Sequence, residues 1–253
     1  MMEHLTSLKN PRIQSIRALK NRKDRLLQQA FLVEGDKMVT EALASGLTVE
    51  TLLVREDRTV PPALPESLPV YLLPARVFDA LSDAKTPQGI AAVVRMPEAA
   101  PALPPGSRLI ALDGVQDPGN VGAILRTADA AGLDGALLGP DCADVFSPKT
   151  LRATMGSVFR VRTSFPEHLA DCLAALRDDG YAILSSQLDG TPFYERPDPG
   201  SRWVLVIGNE GNGVSPAVQA VATHRLRLPM RGGAESLNAA IAAGIMMYEL
   251  MKD

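Results

Sequence analysis

The sequence is poor in the residues that form disulfides, metal sites and aromatic clusters. It has only 2 cysteines and 3 histidines among 253 residues, and aromatic side chains make up 4%. Cys142 and Cys172 are isolated, and His4, His168 and His224 are scattered along the chain. This spacing excludes a CxxC motif and argues against a zinc site and a disulfide framework, so we expect a reducing compartment.

Long apolar runs and a strong net charge are also missing. No apolar run approaches the roughly 18–20 residues needed to cross a bilayer, and the amino terminus is polar from Glu3 onward. The formal net charge of −3 gives no overall basic signature of nucleic-acid binding. With 46% hydrophobic and 22% charged residues, the composition is typical of a soluble globular protein, for which we expect a cytoplasmic location.

Positive charge is nevertheless concentrated near the amino terminus. Residues 1–30 contain seven Lys or Arg and two acidic residues, a local net charge of +5, so the remainder carries −8. A basic patch on an acidic body predicts contact with a polyanion such as RNA, although a solvated helix face is the alternative. Five members of this patch form what we call the basic stripe: Arg12, Arg17, Lys20, Arg22 and Lys23.

A proline-rich stretch predicts a domain boundary. Residues 96–107 contain four prolines, which exclude a helix interior or a central strand, and we expect a linker between 1–95 and 108–253. The first part has the pattern of a small α/β domain, in which a basic helical pattern follows Asn10-Pro11. Its other predicted elements are strands at 31–33, 51–54, 70–73 and 89–94 and helices at 36–45 and 75–82.

The second part alternates regularly between short apolar runs and helical patterns. Strands are predicted at 109–112, 135–138, 181–184, 203–207 and 225–228, and helices near 120–131, 148–157, 166–179, 214–222 and 236–252. This alternation predicts an α/β fold with a parallel sheet covered on both faces.

Three polar, glycine-rich loops follow predicted strands of the second part. They are Asp113–Arg126, Gly208–Gly213 and Leu228–Asn238. Strand ends that converge on one crevice are where open α/β sheets bind ligands, and glycines let the backbone approach a ligand closely. The middle loop fails the G-x-G-x-x-G dinucleotide fingerprint, because its glycines lie at 208, 211 and 213. The three loops therefore predict a binding site of another kind.

Several polar residues of these loops also have simpler structural interpretations. Asn120 stands where a helix N-cap is expected, since Val121, Ile124 and Leu125 follow at helical spacing. Ser236 has the same interpretation for the last helix. Arg126 lies off the apolar stripe of its helix, where an exposed arginine is the alternative to a functional one.

Taken together, the loops carry a more specific pattern. Asn-x-Gly-x-x-x-Arg at 120–126, Gly-x-Glu-Gly at 208–211 and Pro-Met…Ser-Leu-Asn at 229–238 resemble the SpoU-type (TrmH-like) RNA ribose methyltransferases of the SPOUT superfamily. Phe31-Leu-Val-Glu-Gly35 and Thr86-Pro-Gln-Gly-Ile90 resemble the small substrate-binding domain of the rRNA-modifying branch. The resemblance therefore covers both parts of the chain.

The resemblance implies a carboxy-terminal trefoil knot, S-adenosylmethionine as cofactor, no metal, and a homodimer to which the small-residue helix 238–248 contributes. It implies methyl transfer to a ribose 2′-hydroxyl of RNA, a group that distinguishes RNA from DNA. The implied reaction-site residues are Asn120, Arg126, Glu210, Ser236 and Asn238. The implied cofactor-binding residues are Gly208, Glu210, Gly213, Leu228, Met230, Ser236 and Leu237.

The resemblance gives Arg126 the role of activating the hydroxyl. A guanidinium with a pKa above about 12 is a poor base, so we expect Arg126 to clamp a phosphate and stabilise a developing alkoxide. The separate amino-terminal domain favours large-subunit rRNA as substrate, with tRNA as the alternative. Two other functions are the alternatives. The first is a non-catalytic RNA-binding assembly factor, which the complete set of five polar reaction-site residues disfavours. The second is a nucleotide-dependent oxidoreductase, which the glycine spacing at 208–213 disfavours.

Overall fold

The computed structural model describes residues 2–62, 64–97 and 108–252. The chain divides into two compact units: unit 1 is Met1–Glu98 with Phe146–Phe159, and unit 2 is Ala99–Val145 with Arg160–Asp253. The predicted linker at 96–107 lies outside the described residues except for Met96 and Pro97.

Unit 1 contains a mixed five-stranded sheet in the order β1-β4-β3-β5-β2. The strands are β1 (Met2–His4), β2 (Ala30–Glu34), β3 (Val49–Arg55), β4 (Val70–Leu73) and β5 (Ile90–Arg95). Strands β1, β4 and β3 are parallel, whereas β5 pairs antiparallel with β3 and β2. The sequence predicted four of these strands, but β1 is three exposed residues without an apolar pattern and was missed.

Five helices accompany this sheet in the described part of unit 1. They are α1 (Pro11–Ala18), α2 (Arg22–Gln28), α3 (Asp36–Ala44), α4 (Ala75–Leu81) and α6 (Pro148–Thr154), which a 3₁₀ turn at Ser157–Phe159 follows. Helix α1 begins where Asn10 accepts a hydrogen bond from the Arg12 N–H at 2.9 Å, and Pro11 favours the first helical position. Arg25 of α2 is buried and donates to the carbonyls of Leu19 and Lys20, so it is a structural residue beside the basic stripe.

The segment 146–159 packs with unit 1 although it lies far along the chain from the rest of that unit. The Phe31 ring of β2 lies 4.7 Å from the Phe146 ring and 6.4 Å from the Phe159 ring. Helix α6 contributes buried Leu151, and Thr154 is fully buried and donates to the Leu151 carbonyl. Aromatic burial of this kind accounts for the attachment of the segment to the sheet of unit 1.

Unit 2 contains a six-stranded sheet in the order β11-β9-β10-β6-β7-β8, and every neighbouring pair in it is parallel. The strands are β6 (Arg108–Asp113), β7 (Gly135–Leu138), β8 (Arg162–Ser164), β9 (Ala182–Pro192), β10 (Trp203–Gly208) and β11 (His224–Arg227). Every residue of β10 is buried, as expected for a central parallel strand. The predicted parallel α/β sheet is therefore confirmed, and only the three-residue β8 was missed among these strands.

Four helices pack around this sheet in the described part of unit 2. They are α5 (Pro118–Ala131), α7 (Leu169–Asp178), α8 (Pro216–Val221) and α9 (Ala239–Leu250). Strand β9 pairs with β11 in two stretches, since Ser185 opposes Arg225 and Thr191 opposes the next residue, Leu226. Residues 186–190 therefore bulge away from the ladder at the strand end where the loops converge.

Candidate active site

The three predicted loops of unit 2 lie at the carboxyl ends of parallel strands. The loop after β6 and the loop after β10 start side by side, because Gly208 pairs with Asp113. The third loop runs from the end of β11 to the start of α9. This is the edge at which open α/β sheets bind ligands.

Glu210, Asn120 and Asn238 form a hydrogen-bonded chain that connects all three loops. The Asn120 Nδ2 donates to Glu210 Oε1 at 2.9 Å, and the Asn238 Nδ2 donates to Asn120 Oδ1 at 2.9 Å. Asn120 thus uses both ends of its amide, which fixes the orientation of the side chain. Three of the five predicted reaction-site residues are brought into direct contact.

The Glu210 carboxylate is held in its ionised form by donors from the loop after β6. Partial burial raises the pKa of Glu210, but the hydrogen bonds from Asn120 and from backbone N–H groups outweigh it and leave the pKa below its ordinary value. The backbone donors are Gln116 at 3.1 Å and Asp117 at 3.2 Å, together with the N–H of Glu210 itself. The site therefore presents a carboxylate that acts as an acceptor at neutral pH.

The residues that cap α5 and α9 differ from the two N-caps that the sequence suggested. Asp117, rather than Asn120, caps α5 by accepting from the Asn120 N–H at 3.0 Å, and Asn120 lies inside the first turn. Asn238, rather than Ser236, caps α9 by accepting from Ala240 at 2.9 Å and Ile241 at 3.3 Å. The interpretation of Asn120 and Ser236 as caps was wrong, because the cap of α5 lies three residues earlier, at Asp117, and the cap of α9 lies two residues later, at Asn238.

Two further residues, which are not among the predicted reaction-site or cofactor-binding residues, shape the loops. Asn209 donates to the Gly114 carbonyl at 2.8 Å and accepts from the N–H groups of Gly211 and Asn212. Asp113 accepts from the Ser215 N–H at 2.6 Å. Their signal in the sequence was an Asx residue at or just beyond the end of a buried strand, where such side chains bind nearby backbone groups.

Gly208 is required by packing at the same point. A Cβ atom at this position would lie 2.2 Å from the Gly213 carbonyl carbon and 2.3 Å from the Val214 nitrogen. The loop closes on itself directly above Gly208, because Asn209 and Gly213 exchange two backbone hydrogen bonds of 2.9 Å. A side chain at position 208 is therefore incompatible with this loop.

A cavity of about 440 Å³ opens between the loops after β10 and β11 and the bulge of β9. All seven predicted cofactor-binding residues line it: Gly208, Glu210, Gly213, Leu228, Met230, Ser236 and Leu237. The volume falls in the usual range for small-molecule pockets, about 300–1,000 Å³, and the lining mixes apolar side chains with backbone and carboxylate groups. The lining offers apolar contacts for a ring and one carboxylate, Glu210, for a cationic centre.

Arg126 occupies a different position from the other predicted site residues. It lies on α5 six residues after Asn120, which is about 9 Å along the helix axis, and its side chain is exposed. Among the described residues, its guanidinium has no hydrogen bond or ion pair, and it does not line the cavity. It is thus a solvent-facing cation beside the site.

The basic stripe is only partly available for a ligand. Arg12 is paired with Glu3 and lies over the Tyr71 ring, and Lys20 contacts Asp83 at 3.0 Å and the Ser82 carbonyl at 2.8 Å. The remaining members have exposed side chains without an ion pair to any residue that the structure describes: Arg17, Arg22 and Lys23.

Other classes of site find little support in the described residues. No group of three or more His, Cys, Asp or Glu there could hold a metal ion. Partial burial raises the pKa values of Cys142 and Cys172, which disfavours thiolate chemistry. No helix within the described ranges combines the length and apolar character needed to cross a membrane.

Comparison with known proteins identifies both parts of the chain. Residues 107–248 match the SpoU rRNA Methylase family, and residues 10–92 match the MRM3-like substrate binding domain. The chain is 39% identical over 253 residues to the 23S rRNA (guanosine(2553)-2'-O)-methyltransferase RlmP of Bacillus subtilis (strain 168), which covers 98% of this chain and 99% of that protein.

Solved structures agree over nearly the whole length. An AdoMet-bound rRNA methyltransferase from Sinorhizobium meliloti has a TM-score of 0.88 and 32% identity, covering 98% of this chain and 97% of its own. The SpoU methyltransferase AviRb from Streptomyces viridochromogenes, in complex with AdoMet, has a TM-score of 0.84 and 29% identity, covering 96% and 97%. The resemblance and the fold class predicted from the sequence are confirmed. On both sequence and fold, the chain belongs to the SpoU rRNA methylase family.

Proposed function

We propose that the protein is an S-adenosylmethionine-dependent methyltransferase that modifies a ribose 2′-hydroxyl of large-subunit rRNA. The observation that carries this proposal is the hydrogen-bonded chain Glu210–Asn120–Asn238 at the edge of the 440 Å³ cavity. It joins the three loops whose motifs led to the family. The B. subtilis relative, a 23S rRNA 2'-O-methyltransferase that aligns over the whole chain, supports the same reaction.

The cavity residues fit the proposed cofactor. When bound, S-adenosylmethionine supplies an electrophilic methyl group on a sulfonium centre. The Glu210 carboxylate would favour a cationic ligand, and Leu228, Met230 and Leu237 offer apolar surface for an adenine ring. The close turn above Gly208 brings backbone N–H and carbonyl groups to the cavity wall. These groups bind and orient the ligand and exclude water from it.

The polar residues at the cavity edge would position the nucleotide. The Glu210–Asn120–Asn238 chain is rigid because each amide is bonded at both ends, so it presents fixed groups toward a ribose. Arg126 is the exposed cation nearest to this chain along α5, and we assign it a phosphate clamp that also stabilises a developing alkoxide. Ser236 is exposed at the cavity wall and supplies a hydroxyl.

We assign RNA binding to unit 1 and assembly to α9. The MRM3-like substrate binding domain matches most of unit 1, and the stripe cations Arg17, Arg22 and Lys23, which have no ion pair among the described residues, suit a polyanion.

On α9, Ile241 and Tyr248 are 56% and 53% exposed and share one face, which suits a homodimer contact. The trefoil knot implied by the family and a cytoplasmic location belong to the same proposal.

Transfer of labelled methyl groups from S-adenosylmethionine tests the reaction. The substrate is total bacterial RNA from a strain that lacks the protein, and wild type is compared with Arg126→Ala. Label in large-subunit rRNA that the variant loses supports the proposal. Label confined to tRNA would keep the chemistry and overturn the substrate. Absence of both label and cofactor binding would contradict the methyltransferase function.

A further inference from the structure

Besides the cofactor cavity of unit 2, the structure has a cavity in unit 1, which we call the Met155 cleft. Its volume is about 240 Å³, and its walls come from β2, α3, the stretch before β5 and the end of helix α6. The lining includes Glu34, Lys37, Gln88, Arg152 and Met155. Arg152 and Met155 come from the segment 146–159, so the cleft combines residues that are far apart in the chain.

Two cations of the cleft are free to bind an anion. The side chains of Lys37 and Arg152 are exposed, and neither forms an ion pair or hydrogen bond within the described ranges. The acidic neighbours are already engaged: Glu34 accepts from the Ser82 hydroxyl at 2.6 and 2.7 Å, and Asp36 pairs with Arg58 at 2.8 Å. Lys37 and Arg152 therefore form a cationic rim without an ion-pair partner among the described residues. Glu34 keeps its negative charge at the cleft, because a hydroxyl donor does not neutralise a carboxylate.

The inner surface of the cleft is mostly apolar. Met155 is 41% exposed and has a φ of 52°, a left-handed conformation that is uncommon for a residue other than glycine. Met155 is the C-cap of α6, and its large, polarisable side chain lines the cavity together with that of buried Met38. Gln88 uses its Oε1 to accept from the Asp36 N–H at 3.0 Å, and its Nε2 donates to none of the described residues.

We propose that the Met155 cleft binds one unstacked nucleobase of single-stranded RNA, with the adjoining phosphates on Lys37 and Arg152. The volume is below the roughly 300–1,000 Å³ of drug-sized pockets, which suits a single unstacked base, whereas a base within a duplex stays stacked and cannot enter. Apolar side chains contact the base faces, and the Gln88 amide and the free lone pairs of Glu34 meet its polar edge. This inference rests on the proposed function, in which the substrate is rRNA. It adds that the rRNA substrate has a single-stranded segment and that unit 1 binds this segment.

The test measures binding of the full chain to a labelled ten-nucleotide single-stranded RNA of mixed sequence and to the corresponding duplex. Met155→Gly keeps the backbone conformation, because glycine adopts positive φ freely, and removes only the side chain. We expect it to weaken single-strand binding about tenfold without changing the salt dependence, and to leave duplex binding unchanged. Its melting temperature serves as the check on folding.

The charge variant gives an independent readout. Lys37→Gln with Arg152→Gln removes two phosphate contacts, so the slope of log K against log salt on the single strand should fall by about 1.4. Arg162→Gln with Arg225→Gln is the matched control, because it removes the same charge from two exposed side chains outside both the cleft and the amino-terminal basic patch. Equal salt slopes for the two double variants would overturn the proposal. So would a Met155→Gly protein that binds the single strand with wild-type affinity.

Cofactor binding separates this inference from the proposed function. Calorimetric titration with S-adenosylmethionine should give the same affinity for wild type, Met155→Gly and the cleft double variant, since the cleft belongs to unit 1 and the cofactor cavity to unit 2. A wild-type protein that does not bind S-adenosylmethionine contradicts the methyltransferase function. A protein that binds S-adenosylmethionine and whose single-strand affinity does not depend on Met155 contradicts only the cleft.

Discussion

The Asn238 side chain bonds in two directions, and its removal should be measurable as a loss of stability. Its oxygen caps α9 through Ala240 and Ile241, and its nitrogen donates to Asn120. Because loss of an N-cap costs about 1 kcal/mol, we expect Asn238→Ala to lower the free energy of unfolding by at least that amount in urea titrations. Ser236→Ala, two residues away, is the control and should change it by less than about 0.5 kcal/mol. Equal effects of the two changes would contradict the assignment of the cap.

Glu210 should make the stability of the fold depend on pH in the acid range. Its pKa is lower in the folded protein than in the unfolded chain, where a glutamate titrates near about 4.3. Its stabilising contribution is therefore complete above that value and is lost as the pH falls through the folded pKa. The difference in unfolding free energy between wild type and Glu210→Gln should be constant from pH 7 to about 5 and shrink towards pH 3. A difference that stays constant to pH 3 would show that the carboxylate is not stabilised by its donors.

At the scale of the elements, the turn after β10 depends on the absence of a side chain at Gly208. A Cβ atom there would overlap the backbone at Gly213 and Val214, so we expect Gly208→Ala to cost about 1–3 kcal/mol or more and to abolish cofactor binding. Gly232→Ala is the matched control, because a Cβ atom added there would meet no other atom within 4 Å. Thermal unfolding and calorimetry measure both effects. Normal cofactor binding by Gly208→Ala would mean that the turn can open without loss of the site.

The members of the basic stripe should contribute unequally to RNA binding. Arg17→Gln, Arg22→Gln and Lys23→Gln together remove cations that have no ion pair in the described structure. We expect this triple variant to weaken binding to structured rRNA and to lower the salt slope by about 0.9 for each phosphate that is no longer neutralised. Arg12→Gln with Lys20→Gln should change the slope less, since those cations are already bound by Glu3 and Asp83. An unchanged slope in the triple variant would make the stripe a solvated helix face.

Elements with a strong pattern were predictable from the sequence, and those fixed by distant contacts were not. Strand β10 is a run of apolar residues that ends in glycine, and such a run indicates a buried strand. Strands β1 and β8 are three residues long, and only pairing with β4 and β7 makes them strands. The motifs identified Asn120, Glu210 and Asn238, but their hydrogen bonds span 90 to 118 positions. No local pattern encodes such a distance.

At the scale of the whole molecule, the exposed face of α9 should control assembly. Ile241 is 56% exposed on a helix of small and apolar residues, and a charge there would be buried and unpaired in a dimer. We expect Ile241→Glu to convert a dimer to a monomer in sedimentation velocity experiments. Leu27→Glu, at a position that is 78% exposed on α2, is the control and should leave the assembly unchanged. A dimer that persists in Ile241→Glu would place the interface elsewhere.

The membership of residues 146–159 in unit 1 has a consequence for how the protein is made. During synthesis, the ribosome produces residues 1–98 first, but the rings of Phe146 and Phe159 that pack on Phe31 emerge some fifty residues later. Unit 1 therefore cannot complete its core co-translationally before a large part of unit 2 has left the exit tunnel. For the same reason, a gene cut at the proline-rich segment would yield two fragments, one lacking a piece of its core and the other carrying an apolar segment without its partner.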